Sequence, residues 1–136
     1  MNLNPRYKYL FDTSVFIDLL RKRPEGKNLV FQAHRLRIPV GYSIITETEL
    51  WVGITGKWTE HEHKLVLRPF TRYFVNVTIA RNTGHFYRET RQKGVGLADC
   101  LIAATAHYYD LRICTRNEKH FKYFKKFGVE IDAYAT

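Results

Sequence analysis

The feature that most constrains the fold is a short apolar run ending on an acid. Lys8-Tyr9-Leu10-Phe11 leads straight into Asp12-Thr13-Ser14, and Val15, Phe16, Leu19 and Leu20 follow at helical spacing. A buried parallel strand that opens into a helix has this pattern. Open α/β sheets take their ligands outside the carboxyl ends of such strands, which makes Asp12 the first candidate for chemistry. An acid there also has a bland use as the helix N-cap, for which Thr13 and Ser14 compete.

The rest of the chain repeats the alternation. The first helix runs from about Ser14 and is expected to stop near Arg23, because Pro24 disfavours helical geometry in the residue before it. Glu25 to Arg37 reads as a second helix, and Pro39 to Ser43 as a strand. Ile44 to Gly56 reads as a helix capped near Thr46, and Thr59 to Leu67 as a short helix closed by Pro69. Tyr73 to Val77 reads as a strand, and Ile79 to about Lys93 as a helix broken by Gly94 and Gly96. Leu97 to Tyr109 is apolar on nearly every side, as a core helix must be. Arg112 to Thr115 reads as a strand, Asn117 starts a final helix, and Val129 to Ile131 closes the chain as a strand. Strands separated by helices imply an α/β fold: a central parallel sheet of about five strands with helices on both faces.

A chain of 136 residues is expected to form a single domain over 1–136. With 22 Lys and Arg against 13 Asp and Glu, its net charge of +9 favours a polyanionic partner, of which nucleic acid is the simplest. The densest basic run, Arg112 to Lys126, interleaves with Phe121, Tyr123, Phe124 and Phe127. Such a mixture suits phosphates and unstacked bases, and it also describes an amphipathic helix with its aromatics in the core. Cys100 and Cys114 lack metal-ligand spacing and read as buried thiols of a reducing cytoplasm. The N-terminal residues lack a signal-peptide core, and no apolar run approaches membrane-spanning length, so a cytoplasmic protein without membrane contact is expected.

Two further acids occupy positions that are costly without a partner. Glu49 lies in the first turns of a helix that follows a strand, and Asp99 opens the most apolar helix. Either alone could merely answer a helix dipole. A parallel sheet, however, gathers such edges at one end. Carboxylates within about 4 Å repel by several kcal/mol at intermediate dielectric, so raised pKa values or a cation must compensate. Carboxylate oxygens with no Cys or His among them suit Mg²⁺ or Mn²⁺ better than zinc.

Other polar residues read more plainly. His61 and His63, two apart, do not share a helix face and do not make a zinc pair. Glu47 points away from Glu49 as a solvated or capping acid, and Asp18 reads as an exposed helix residue. His107 lies about 12 Å along the axis from Asp99 and reads as a packed or surface histidine. Trp51, Trp58, Phe70, Tyr73 and Phe74 divide between core packing and an exposed surface, with at least half expected in the core.

Four segments together resemble a family pattern. These are Asp12-Thr13-Ser14; Ser43-x-x-Thr46-x-x-Glu49-Leu50-x-x-Gly53; Leu97-x-Asp99-x-x-Ile102-Ala103-Ala104-x-Ala106; and Thr115-Arg116-Asn117-x-x-His120-Phe121. In this order they resemble the PIN domain, most closely the VapC-type toxins of prokaryotic toxin–antitoxin pairs, over Tyr9 to about Ile131. The resemblance implies a PIN-like domain and a metal-dependent endoribonuclease whose metal-binding and catalytic acids are Asp12, Glu49 and Asp99. It implies Thr13 or Ser14 near the first acid, with Thr115 orienting the site from the last strand. It also implies an RNA substrate, a small antitoxin that occludes the acids, and a homodimer. Many PIN domains carry a fourth acid where this chain has Asn117, which can still offer a carbonyl oxygen or hold a metal-bound water. Arg116 is the basic residue best placed for a substrate phosphate. A catalytically lapsed module that binds RNA without cutting it is the alternative. A phosphatase would instead call for a second aspartate where this chain has Ser14.

Overall fold

The computed structural model describes residues 1–134. Its sheet has five parallel strands: β1 (Tyr9–Phe11), β2 (Val40–Ser43), β3 (Thr71–Tyr73), β4 (Arg112–Thr115) and β5 (Ile131–Ala133), in the order β3-β2-β1-β4-β5. The first strand made is therefore the central one. Its residues alternate between two cores: Tyr9 and Phe11 face one layer of helices, and Leu10 faces the other.

The Phe11 side is filled from α1 (Thr13–Leu20), α2 (Pro24–Arg35), α3 (Ile44–Val52) and α4 (Glu60–Leu67), through Phe16, Leu29, Leu50 and Leu67. The Leu10 side is filled from α5 (Val77–Thr90), α6 (Leu97–Tyr109) and α7 (Glu118–Phe121), through Ile79, Phe86, Ala103 and Phe121. Short 3₁₀ turns extend α5 over Arg91–Lys93 and α7 over Lys122–Phe127. In the basic-aromatic run, Phe121 and Phe124 are fully buried while the lysines stay in water, so the run is an amphipathic element.

Element boundaries depart from expectation by a few residues in several elements, and four of these departures have a visible local cause or consequence. The strand expected at Tyr73 to Val77 is instead Thr71–Tyr73, because Asn76 caps α5 by accepting from the N–H of Ile79. That leaves Phe74 and Val75 62% and 38% exposed. α3 is capped by Ser43, not Thr46, and ends at Val52, where Gly53 forms the C-cap. β5 begins two residues later than expected, after Gly128 turns the chain with φ of 88°. α7 proper begins at Glu118 and is a single turn. Gly41 is required by close approach: a Cβ there would meet the Thr71 carbonyl oxygen at 2.7 Å and overlap the Tyr73 ring. Among the described residues no helix is long and apolar enough to cross a membrane.

Candidate active site

The strand order turns back on itself at β1, since β2 and β3 lie on one side and β4 and β5 on the other. The crevice beyond the carboxyl ends of β1 and β4 is where such a sheet binds ligands. Asp12 follows β1 directly and caps α1, accepting from the backbone N–H of Ser14 and from the hydroxyl of Thr115 at the end of β4. Capping and chemistry are thus not alternatives here. Asp12 is 4% exposed. Burial pushes its carboxyl from the usual 3.8 up to about 6; the Thr115 and Ser14 donors oppose the rise, and the charge of Asp99 adds to it.

Glu49 is reached by a chain of hydroxyls. Thr13 donates to Glu49 Oε1 at 2.6 Å, so its single proton is committed and it accepts from Thr46 at 2.9 Å. Thr46 and Thr13 are both buried, and this relay explains the threonine that had been expected as a cap. Glu49 keeps a solvent-facing flank. Desolvation around its carboxyl still outweighs the Thr13 bond and lifts its pKa, and Asp99 contributes again. Asp99 lies in the first turn of α6. Its pKa is raised chiefly by burial, against the opposing pull of His120 and the Gly96 backbone.

The remaining residues divide. The Ser14 hydroxyl accepts from the N–H of Arg116 at 3.1 Å and pins the segment after β4. Thr115 accepts from the N–H of Asn117 at 2.8 Å while donating to Asp12. The Asn117 amide lies 3.0 Å from His120 Nδ1, and that nitrogen is 3.2 Å from Asp99 Oδ2, so only one of the two can use it at a time. His120 belongs to the fourth family segment but had no role in the sequence reading, although it stands three residues past Asn117, the residue that precedes α7.

Two expectations are corrected. Asp18 is not exposed but 1% accessible, bound by Arg116 at 3.1 Å, Arg23 at 3.2 Å and the Tyr134 hydroxyl at 2.6 Å. The guanidinium of Arg116 therefore has a protein partner in Asp18 while keeping 23% of its side chain exposed. The available signal was spacing: Asp18 stands at i+3 from Val15, on the buried face of α1. Glu47 is likewise not solvated, since it accepts from the Tyr42 hydroxyl at 2.7 Å and pairs with Arg72. His63 is a core residue that bonds the Thr59 carbonyl and packs on Trp51.

Among the described residues, no three of His, Cys, Asp or Glu converge as a preformed metal cluster. Each acid is turned instead toward a hydroxyl or an imidazole. Neither Asp12 nor Glu49 has an ion-pair partner among the described residues, and both have raised pKa values. Carboxylates coupled through Asp99 and lacking a cation are a donor set that fits a hard divalent ion.

Parallel strands covered on both faces, with coupled acids at their carboxyl edge, define a three-layer α/β protein with an acidic site. The chain belongs to the PIN-domain family, whose pattern matches residues 9–126. Ribonuclease VapC1 of Methanocaldococcus jannaschii is 35% identical over 130 residues, spanning 91% of this chain and 86% of that protein. Ribonuclease VapC10 of Mycobacterium tuberculosis is 32% identical over 119 residues, spanning 86% and 88%. A toxin–antitoxin complex from Klebsiella pneumoniae contains a chain of similar structure, with TM-score 0.76 and 27% identity, covering 95% of this chain and all of that one.

Proposed function

We propose that this protein is a metal-dependent endoribonuclease, the toxin of a VapBC-type toxin–antitoxin pair, with residues 1–136 as one PIN domain acting in the cytoplasm. The observation that carries the reading is Asp12: a buried carboxylate with a pKa near 6, coupled to Asp99, with no cation beside it. The kinship with the two VapC ribonucleases and with the Klebsiella toxin–antitoxin complex supports the substrate and the protein partner. Asp12, Glu49 and Asp99 would hold Mg²⁺ or Mn²⁺. Such an ion supplies activation of a water for attack on a phosphodiester and neutralises charge on the leaving oxygen.

The chain's own residues do the positioning. Thr115 and the Ser14 N–H fix the orientation of Asp12, and the Thr46–Thr13 relay fixes Glu49. His120 Nδ1 can hold a proton against Asp99 Oδ2. A small antitoxin covering the acids and a homodimeric state complete the proposal. A second reading, an RNA-binding module that no longer cleaves, draws on Asn117, whose amide faces His120 at the place where many relatives of this fold present an acid.

Incubation of the purified chain with a mixed RNA pool in Mn²⁺ and in EDTA separates the two. Cleavage in Mn²⁺ alone, lost in a folded Asp99→Asn, is the expected result. RNA bound but intact under every condition decides for the second reading.

A further inference from the structure

A cleft of about 120 Å³ opens beside Glu49, walled by Ile17, Leu20, Leu50 and Trp58. Its chemistry differs from that of the acids. The indole of Trp58 has two exposed cations over it, Arg21 with its guanidinium carbon 5.4 Å and Lys57 with its ammonium 5.7 Å from the ring centroid. The loop that carries Trp58 is fixed. Thr55 Oγ1 accepts from the N–H groups of Lys57 and Trp58 at 3.2 and 3.0 Å, and the Thr55 N–H donates to the Trp58 carbonyl at 2.9 Å. The backbone of Trp58 is thereby held beside the cleft, whose wall its half-buried ring forms.

Neither Arg21 nor Lys57 makes an ion pair among the described residues. A flat aromatic with unpaired cations near it, opening onto a carboxylate site, has the make-up of a single-stranded nucleic-acid platform: a base displaces the cations from the ring and stacks there, while they meet its phosphates. We propose that this cleft receives one unstacked base of the RNA next to the bond to be cut, with Trp58 as the stacking surface and Arg21 and Lys57 on the adjoining phosphates. This rests on the ribonuclease reading. It assigns part of the sequence selectivity to residues outside the acid motifs.

The test uses the full chain carrying Asp99→Asn and Trp51→Phe, so that Trp58 is the remaining tryptophan and RNA stays intact. Single-stranded hexanucleotides of each of the four bases, and a hexameric abasic backbone of equal charge, are titrated while Trp58 emission and the anisotropy of a labelled strand are followed. The expected result is base-dependent quenching of Trp58 that the abasic strand does not produce. A further Trp58→Leu change lowers affinity about tenfold and levels the preference among bases. Arg21→Gln with Lys57→Gln weakens all strands alike and shallows the salt dependence. Binding by anisotropy with unaltered Trp58 emission, or Trp58→Leu binding as tightly and as selectively as its parent, overturns the base subsite, leaves the ribonuclease reading standing and leaves the cleft to an apolar protein segment. No binding of any strand overturns the base subsite, and cleavage of the RNA pool by the parent chain in Mn²⁺ still decides the ribonuclease reading.

Discussion

The carboxylate of Asp18 and the guanidinium of Arg116 meet at 3.1 Å beneath the surface, joining the first helix to the segment that follows β4. Arg116 is the residue between Thr115 and Asn117, and its N–H is held by Ser14. The pair therefore fixes the stretch of backbone that aims Thr115 at Asp12. Breaking it by Asp18→Leu leaves two arginines without their buried partner and is expected to cost about 3 kcal/mol in urea unfolding. Arg116→Met alone costs less, because its side chain is 23% exposed. A double-mutant cycle is expected to show coupling of at least about 1 kcal/mol, and additivity of the two changes refutes the link.

The raised pKa of Asp12 makes stability depend on pH in an unusual direction. A carboxyl that titrates near 6 when folded and at 3.8 in its ordinary state stabilises the fold fully below pH 4, and that stability is lost as pH rises through 6. Asp12→Asn removes the Asp12 share of the dependence and leaves those of Glu49 and Asp99. In chelator, the variant is expected to match the parent near pH 4 and to exceed it at pH 7 by on the order of 2 to 3 kcal/mol. Mn²⁺ is expected to raise the melting temperature of the parent at pH 7 and leave the variant unmoved. Differential scanning fluorimetry across pH 4 to 8 reads both.

Thr115 gives Asp12 its hydroxyl donor, so Thr115→Val is expected to raise the Asp12 pKa further and weaken Mn²⁺ affinity by about tenfold. Thr115→Ser keeps the hydroxyl and should restore affinity. Calorimetric titration of the two variants checks this, and equal affinities would show that the hydroxyl is idle.

Gly41 leaves no room for a methyl group between β2 and β3. Gly41→Ala forces the Tyr73 ring and the Thr71 carbonyl apart and is expected to destabilise the fold by about 2 kcal/mol or more. A loss of under about half a kcal/mol in urea unfolding would mean that β3 gives way at no cost.

Two of the candidate acids were legible for one reason: Asp12 follows β1 and Asp99 lies in the first turn of α6, elements whose hydrophobic period is plain, whereas Glu49 sits in the middle of α3. Phe11 to Asp12 and Ala98 to Asp99 are abrupt changes from apolar to charged, and α6 and β4 have the expected bounds. The supporting polar groups were less legible because they depend on contacts between distant segments. Thr46 looks like a cap until Thr13, 33 residues earlier, is brought against it. Asp18 looks solvated until Tyr134, 116 residues later, closes over it. Local period could not reveal the Thr46–Thr13 bond, and for Asp18 it marked the buried face of α1 but not the partners waiting there. The edge strands β3 and β5, three residues each, were misplaced because short strands carry little pattern and take their register from the neighbour.

The placement of β1 at the centre of the sheet has a consequence for synthesis. Asp12 emerges from the ribosome long before the hydroxyl that orients it, which belongs to Thr115, 103 positions later. β1 cannot gain its second neighbour until β4 is translated, so the acids have no fixed relation to one another during most of elongation. For the ribonuclease proposed above, that ordering would be a safeguard, keeping the nascent chain harmless to the translation machinery on which its own completion depends.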